Sequence, residues 1–155
     1  MIDTNIWVSA FLTNRGHSAR LIEAFRAGDF EVVVSEPLLY ELGAVLRRPR
    51  LMNKYHYDET VITEYIALIK EQSIWVDILG TLSLCRDPRD NFLLETALFG
   101  GAEYLVSRDD DLKRDLELIQ RMAELGIQVV SLQQFLTRLG SYTNRKGRVY
   151  NCPPP

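Results

Sequence analysis

Short apolar runs that alternate with amphipathic helices predict an α/β protein with a three-layer α/β/α fold around a central, mostly parallel sheet. Two observations carry this expectation. Apolar or β-branched segments recur at Glu31 to Val34, Ile74 to Leu79, Tyr104 to Val106 and Ile127 to Val130, with helical periodicity between them. A chain of 155 residues with 46% hydrophobic content also fits one domain that buries a proper core without disulfides.

The elements follow in order. Met1-Ile2 is an apolar start that places Asp3 at or just beyond the carboxyl end of a first strand. At about 3.3 Å per residue that strand is a stub. Residues 18 to 27 put Leu21, Ile22 and Phe25 on one helical face, with Gly28 as the stop. Glu31 to Val34 then feeds a helix through Ser35-Glu36-Pro37, which offers a capping hydroxyl, an acid near the helix dipole and a first-turn proline. That helix is expected to run to about Arg48, stopped by Pro49.

Residues 58 to 72 form an amphipathic helix opened by Asp58, and Ile74 to Leu79 reads as a full strand. Asp87-Pro88-Arg89-Asp90 is a turn before a largely apolar helix at 91 to 99, closed by Gly100-Gly101. Tyr104 to Val106 is a strand, 107 to 111 a polar turn and 112 to 125 a helix. Ile127 to Val130 is the last strand and 131 to 139 a capped helix. The domain therefore spans 1–140, with a polar, Pro-ended tail at 141–155.

Composition narrows the function. Cys85 and Cys152 are few and far apart, which points to free thiols in a reducing compartment and gives no zinc motif. No run is long enough to span a membrane and no basic signal region opens the chain, so a cytoplasmic location is expected. The net charge of -3 is unusual for a nucleic-acid binder. A cluster of carboxylates holding divalent ions offsets that charge, so a nucleic-acid substrate is not excluded.

Four carboxylates stand out: Asp3, Glu41, Asp90 and Asp109. Singly, each has an ordinary explanation. Asp3 is a turn or cap residue, Glu41 a solvated helix acid, Asp90 an N-cap and Asp109 part of a polar loop. Jointly, three of the four fall within a few residues of a strand's carboxyl end or the following helix start, and parallel strands bring those ends to one edge of the sheet. An oxygen-rich cluster without Cys or His suits Mg2+ or Mn2+. His17 and His56 lie outside every motif and read as surface residues.

The chain resembles the PIN domain family, in particular its VapC-like group of toxins from prokaryotic toxin-antitoxin pairs. The resemblance rests on Asp3-Thr4-Asn5-Ile6-Trp7, Ser35-Glu36-Pro37-Leu38-Leu39-Tyr40-Glu41-Leu42, Arg47-Arg48-Pro49, Asp87-Pro88-Arg89-Asp90-Asn91 and Tyr104-Leu105-Val106-Ser107-Arg108-Asp109-Asp110-Asp111. It implies strand order 3-2-1-4-5 and a metal-dependent endoribonuclease with Asp3, Glu41, Asp90 and Asp109 as the acidic quartet. Asn5, Ser107 and Asp111 are then supporting positions. It also implies a homodimer and an inhibitory antitoxin partner. The chain departs from the pattern in its short first strand and in Arg108, where relatives often carry Gly.

On this reading Asp3, Asp90 and Asp109 hold the metal, Glu41 contributes directly or through water, and metal-bound water cleaves the phosphodiester. Arg47, Arg48, Arg108 and Lys113 are the candidate RNA contacts, with Arg50, Lys54 and Arg114 nearby. The rival from another class is a catalytically silent protein-interaction module of the same fold. A phosphotransfer domain is the weaker alternative, since Asn5 stands where such phosphatases need a second Asp.

Overall fold

The computed structural model describes residues 1–82, 91–108 and 116–145, the stretch 141–145 by its backbone alone. The expected turn at 87 to 90 and the start of the helix expected at 112 lie outside the described residues. The elements are α1 (Thr4–Leu12), α2 (Gly16–Arg26), β1 (Val33–Val34), α3 (Glu36–Leu46), α4 (Pro49–Tyr55) and α5 (Glu59–Glu71), then β2 (Ile74–Trp75) and α6 (Asn91–Phe99). They continue as β3 (Tyr104–Val106), α7 (Leu116–Glu124), β4 (Gln128–Val130) and α8 (Leu132–Arg145).

Local chemistry explains most of these boundaries. Asp58 caps α5 by accepting the Val61 amide at 3.1 Å, and Gly28 takes a left-handed φ of 71° after α2. Ser131 and Gln134 form a reciprocal capping box at the start of α8. That helix continues across position 140 to Arg145 rather than stopping near 139. Pro49 does not merely stop α3, which ends at Leu46; it opens α4, where its fixed φ is pre-organised for a first turn. Ser35 sits at the N-cap position of α3 without capping it, because its hydroxyl is committed elsewhere.

Among the described residues every strand pairing is parallel, in keeping with the α/β class. β1 pairs with β2, β3 pairs with β4, and Ile2 forms a single parallel bridge to Val106. Counting the Ile2 segment as the first strand and β1 to β4 as the second to fifth, these pairings are neighbours in the expected order 3-2-1-4-5, with one interruption: Ile2 is not paired to β1. Among the described residues no backbone pairing joins the β1–β2 sheet to Ile2 and the β3–β4 sheet. A cavity of about 530 Å³ lies in the gap, lined by Met1, Val33, Ile74, Gly100 and Tyr104 among others. The strand expected over Ile74 to Leu79 shortens to Ile74–Trp75 because β1 offers only Val33 and Val34 as partners.

Helices make up most of the structure and bury the core. Trp7 is fully buried, edge-on to Phe25 at 5.3 Å and to Tyr65 at 6.4 Å. The Tyr65 hydroxyl donates to the Trp7 carbonyl at 3.0 Å, and burial raises the Tyr65 pKa well above the phenolic range. α1 packs on α2 and α3, while α6 packs against both β1 and β3. Gly100 fits this last junction: a Cβ there would stand 2.7 Å from the Val33 Cβ.

Candidate active site

The site begins where the Ile2 bridge ends. The Asp3 amide donates to the Val106 carbonyl at 3.0 Å, which sets Asp3 beside the carboxyl end of β3. There the chain turns into α1, and Asp3 becomes its N-cap: Oδ1 accepts the Asn5 amide at 3.1 Å. An ordinary cap is solvated, but Asp3 is 3% exposed. Its second oxygen, Oδ2, accepts the hydroxyl of Ser107, the residue that follows β3.

Ser107 is fully buried and is itself fixed by its amide, which donates to the Val130 carbonyl at 3.1 Å. The carboxylate is thus oriented by a helix N-terminus on one oxygen and a rigid strand end on the other. Its donor set is oxygen only, which fits a hard divalent ion. Asp3 with Ser107 orienting it would hold such an ion from this side. Among the described residues no three Asp, Glu, His or Cys side chains converge, so the described part of the site contains one of the three expected ligands. Asp90 and Asp109, the other two, lie outside the described residues, as do Asp111 and Lys113.

The remaining candidates are placed as follows. Asn5 is exposed in the first turn of α1, next to Asp3. Glu41 is exposed on α3, which packs against α1, and it has no hydrogen bond or ion pair among the described residues. Arg47 is engaged by Glu59, with Nε at 2.9 Å from Oε1, in a pair that ties the end of α3 to the start of α5. This partner lowers the Glu59 pKa and raises that of Arg47. Arg48 and Arg50 are exposed at the start of α4, and Lys54 lies over the Tyr55 ring at 5.0 Å. Arg108 reaches from the end of β3 to two serines, Ser9 on α1 and Ser18 on α2.

Polar residues outside the expected quartet are also buried around this edge. Ser35, at the carboxyl end of β1, shares a 2.7 Å hydrogen bond with Thr96 of α6. Glu95, 1% exposed, accepts the amides of Gly80 and Thr81 at 2.9 and 3.1 Å and so pins the chain entering the segment that precedes α6. The available signal was a carboxylate and a hydroxyl inside the otherwise apolar stretch Phe92 to Phe99.

A family model described as PIN domain matches residues 1–111 of the chain. An uncharacterized protein of Methanocaldococcus jannaschii is 22% identical over 138 residues, which is 88% of each chain. No solved structure matches.

Proposed function

The chain belongs to the PIN domain family, whose members are generally nucleases, and on that premise we propose that it is a metal-dependent endoribonuclease acting as the toxin of a VapC-like pair. The observation that carries this reading is Asp3: a buried carboxylate oriented by Ser107 and by the α1 N-terminus at the carboxyl edge of parallel strands. Such a group suits a ligand for Mg2+ or Mn2+. The family's nucleases typically use divalent metals.

When bound, the ion supplies a water of lowered pKa and charge neutralisation on the phosphoryl oxygens. Asp3 holds the ion from the α1 side, and Ser107 keeps the carboxylate oriented by donating to Oδ2. On this reading Asp90 and Asp109 complete the ligand set, Glu41 acts at its margin, and Asn5 and Asp111 support it. Arg48, Arg108 and Lys113 offer cations for the RNA backbone, while Arg47 must first release Glu59. A homodimer, an antitoxin that covers the acidic site and a cytoplasmic location belong to the same reading. Among the described residues no helix is long and apolar enough to cross a membrane.

The test is cleavage of unstructured single-stranded RNA by purified protein with Mg2+ or Mn2+. Asp3→Asn should abolish cleavage while leaving the fold intact, because the amide oxygen still caps the Asn5 N–H and the amide NH2 can donate to the Ser107 hydroxyl. Unchanged cleavage would sink the nuclease reading, and a wild type that cleaves none of several RNAs would favour a silent interaction module.

A further inference from the structure

Arg108 follows Ser107 directly, so its backbone is fixed to the strand end that orients Asp3. Its guanidinium does not point freely into solvent. Nη1 donates to Ser9 Oγ at 3.0 Å and Nη2 to Ser18 Oγ at 2.9 Å, and the two hydroxyls are themselves joined at 3.1 Å. Ser18 is 3% exposed and Ser9 half-buried, so this rest is set into the α1–α2 packing rather than lying loose on the surface.

Both partners are neutral. They fix the direction of the fork without cancelling its charge, and among the described residues no carboxylate forms an ion pair with Arg108. A guanidinium has five N–H donors, and the serines use one from each terminal nitrogen, so others remain on the exposed face. A pre-oriented planar cation with donors to spare matches the geometry of a phosphodiester better than a mobile lysine does.

Resting on the nuclease reading above, we infer that Arg108, held by Ser9 and Ser18 as positioning residues, is a phosphate subsite for single-stranded RNA on the α1–α2 side of Asp3. It grips a phosphate adjacent to the one being cleaved, so it sets the path of the strand across the carboxylate. Asn5 and Ser9, four residues apart, share one face of α1 and connect Asp3 with this subsite.

The experiment measures binding of an unstructured single-stranded RNA to the full chain by fluorescence anisotropy across a salt series, with chelator present so that no turnover occurs. Arg108→Ala should weaken binding about tenfold and reduce the slope of log K against log salt by about 0.7, the signature of one lost phosphate contact on a single strand. Arg108→Lys should keep most of the slope and lose part of the affinity. Ser9→Ala with Ser18→Ala should weaken binding in the Arg108 protein and have no further effect once Arg108 is Ala. Ser9→Ala alone repeats the comparison without disturbing the buried serine.

Binding and salt slope unchanged in Arg108→Ala would overturn the inference, as would serine effects that persist without Arg108. A wild type that binds RNA through Arg108 but never cleaves it with metal would overturn the nuclease reading and leave this subsite standing. A wild type that cleaves RNA while Arg108→Ala keeps its affinity would do the reverse.

Discussion

The Ser107 hydroxyl donates to Asp3 Oδ2, joining two residues 104 positions apart in sequence at the centre of the candidate site. The bond turns a helix cap into an oriented, buried carboxylate, and it joins the end of β3 to the start of α1. Ser107→Ala removes this donor from a buried carboxylate. The expected cost is about 1–3 kcal/mol, read as a fall in Tm of roughly 2–4 °C per kcal/mol. Mn2+ affinity measured by calorimetry should fall about 10- to 100-fold, as for other residues that orient a metal ligand. Unchanged affinity would remove Ser107 from the site.

The Met1 amine predicts a pH dependence of stability. It is buried, donates to the Tyr104 carbonyl at 2.9 Å, and burial lowers its pKa from 8.0 to about 5. Between these values the unfolded chain binds more protons than the folded one. Stability from this group is therefore fully present above pH 8 and lost as the pH falls towards 5, at up to ~1.4 kcal/mol per pH unit. Melting curves from pH 5 to 8 should show this slope, and N-terminal acetylation should remove it; identical slopes with and without the acetyl group would count against the assignment.

The gap between Ile2 and β1 predicts a gain from added chain. In the β1–β2 ladder the carbonyls of Val32 and Val34 accept from Ile74 and Val76, so the alternating backbone groups of Val33 face the gap. Placing about four apolar residues before Met1 supplies a strand long enough to pair on both sides and to fill the cavity of about 530 Å³. Tm should rise by several degrees, and hydrogen exchange should slow at Val33 and Tyr104. An unchanged melting temperature would argue against a strand-shaped gap.

Gly100→Ala tests the packing of α6 on β1. The new methyl group would meet the Val33 Cβ at 2.7 Å and the Thr96 carbonyl oxygen at 2.9 Å, neither of which is the flexible end of a long side chain. Overpacking of this kind costs about 1–3 kcal/mol. The neighbouring Gly101 has a left-handed φ of 61°, so a lower Tm in Gly100→Ala would report packing, whereas Gly101→Ala would report backbone strain. A neutral Gly100→Ala would show that β1 and α6 are free to separate.

Much of the fold is legible in the sequence because it is set by neighbours in the chain. The face formed by Leu21, Ile22 and Phe25, the Asp58 cap and the Gly28 stop are all matters of spacing within a turn or two. Pro49 misled for the same reason: a proline that ends one helix and one that begins the next look alike until the direction of the chain is known. Ser35 likewise reads as a cap by position, but the Thr96 hydroxyl, 61 residues away, takes its bond.

Periodicity, caps and a carboxylate after a strand are local facts, and they carry the α/β class and most of the helices and single out Asp3 as a candidate site residue. Tertiary structure alone decided that Asp3 is buried against Ser107, that Arg47 is paired with Glu59, that Arg108 rests on Ser9 and Ser18, and that the sheet is interrupted beside Ile2. Each of these joins residues that no local pattern relates. Hydrogen bonds and strand pairings of that range form only between groups that packing has already brought together.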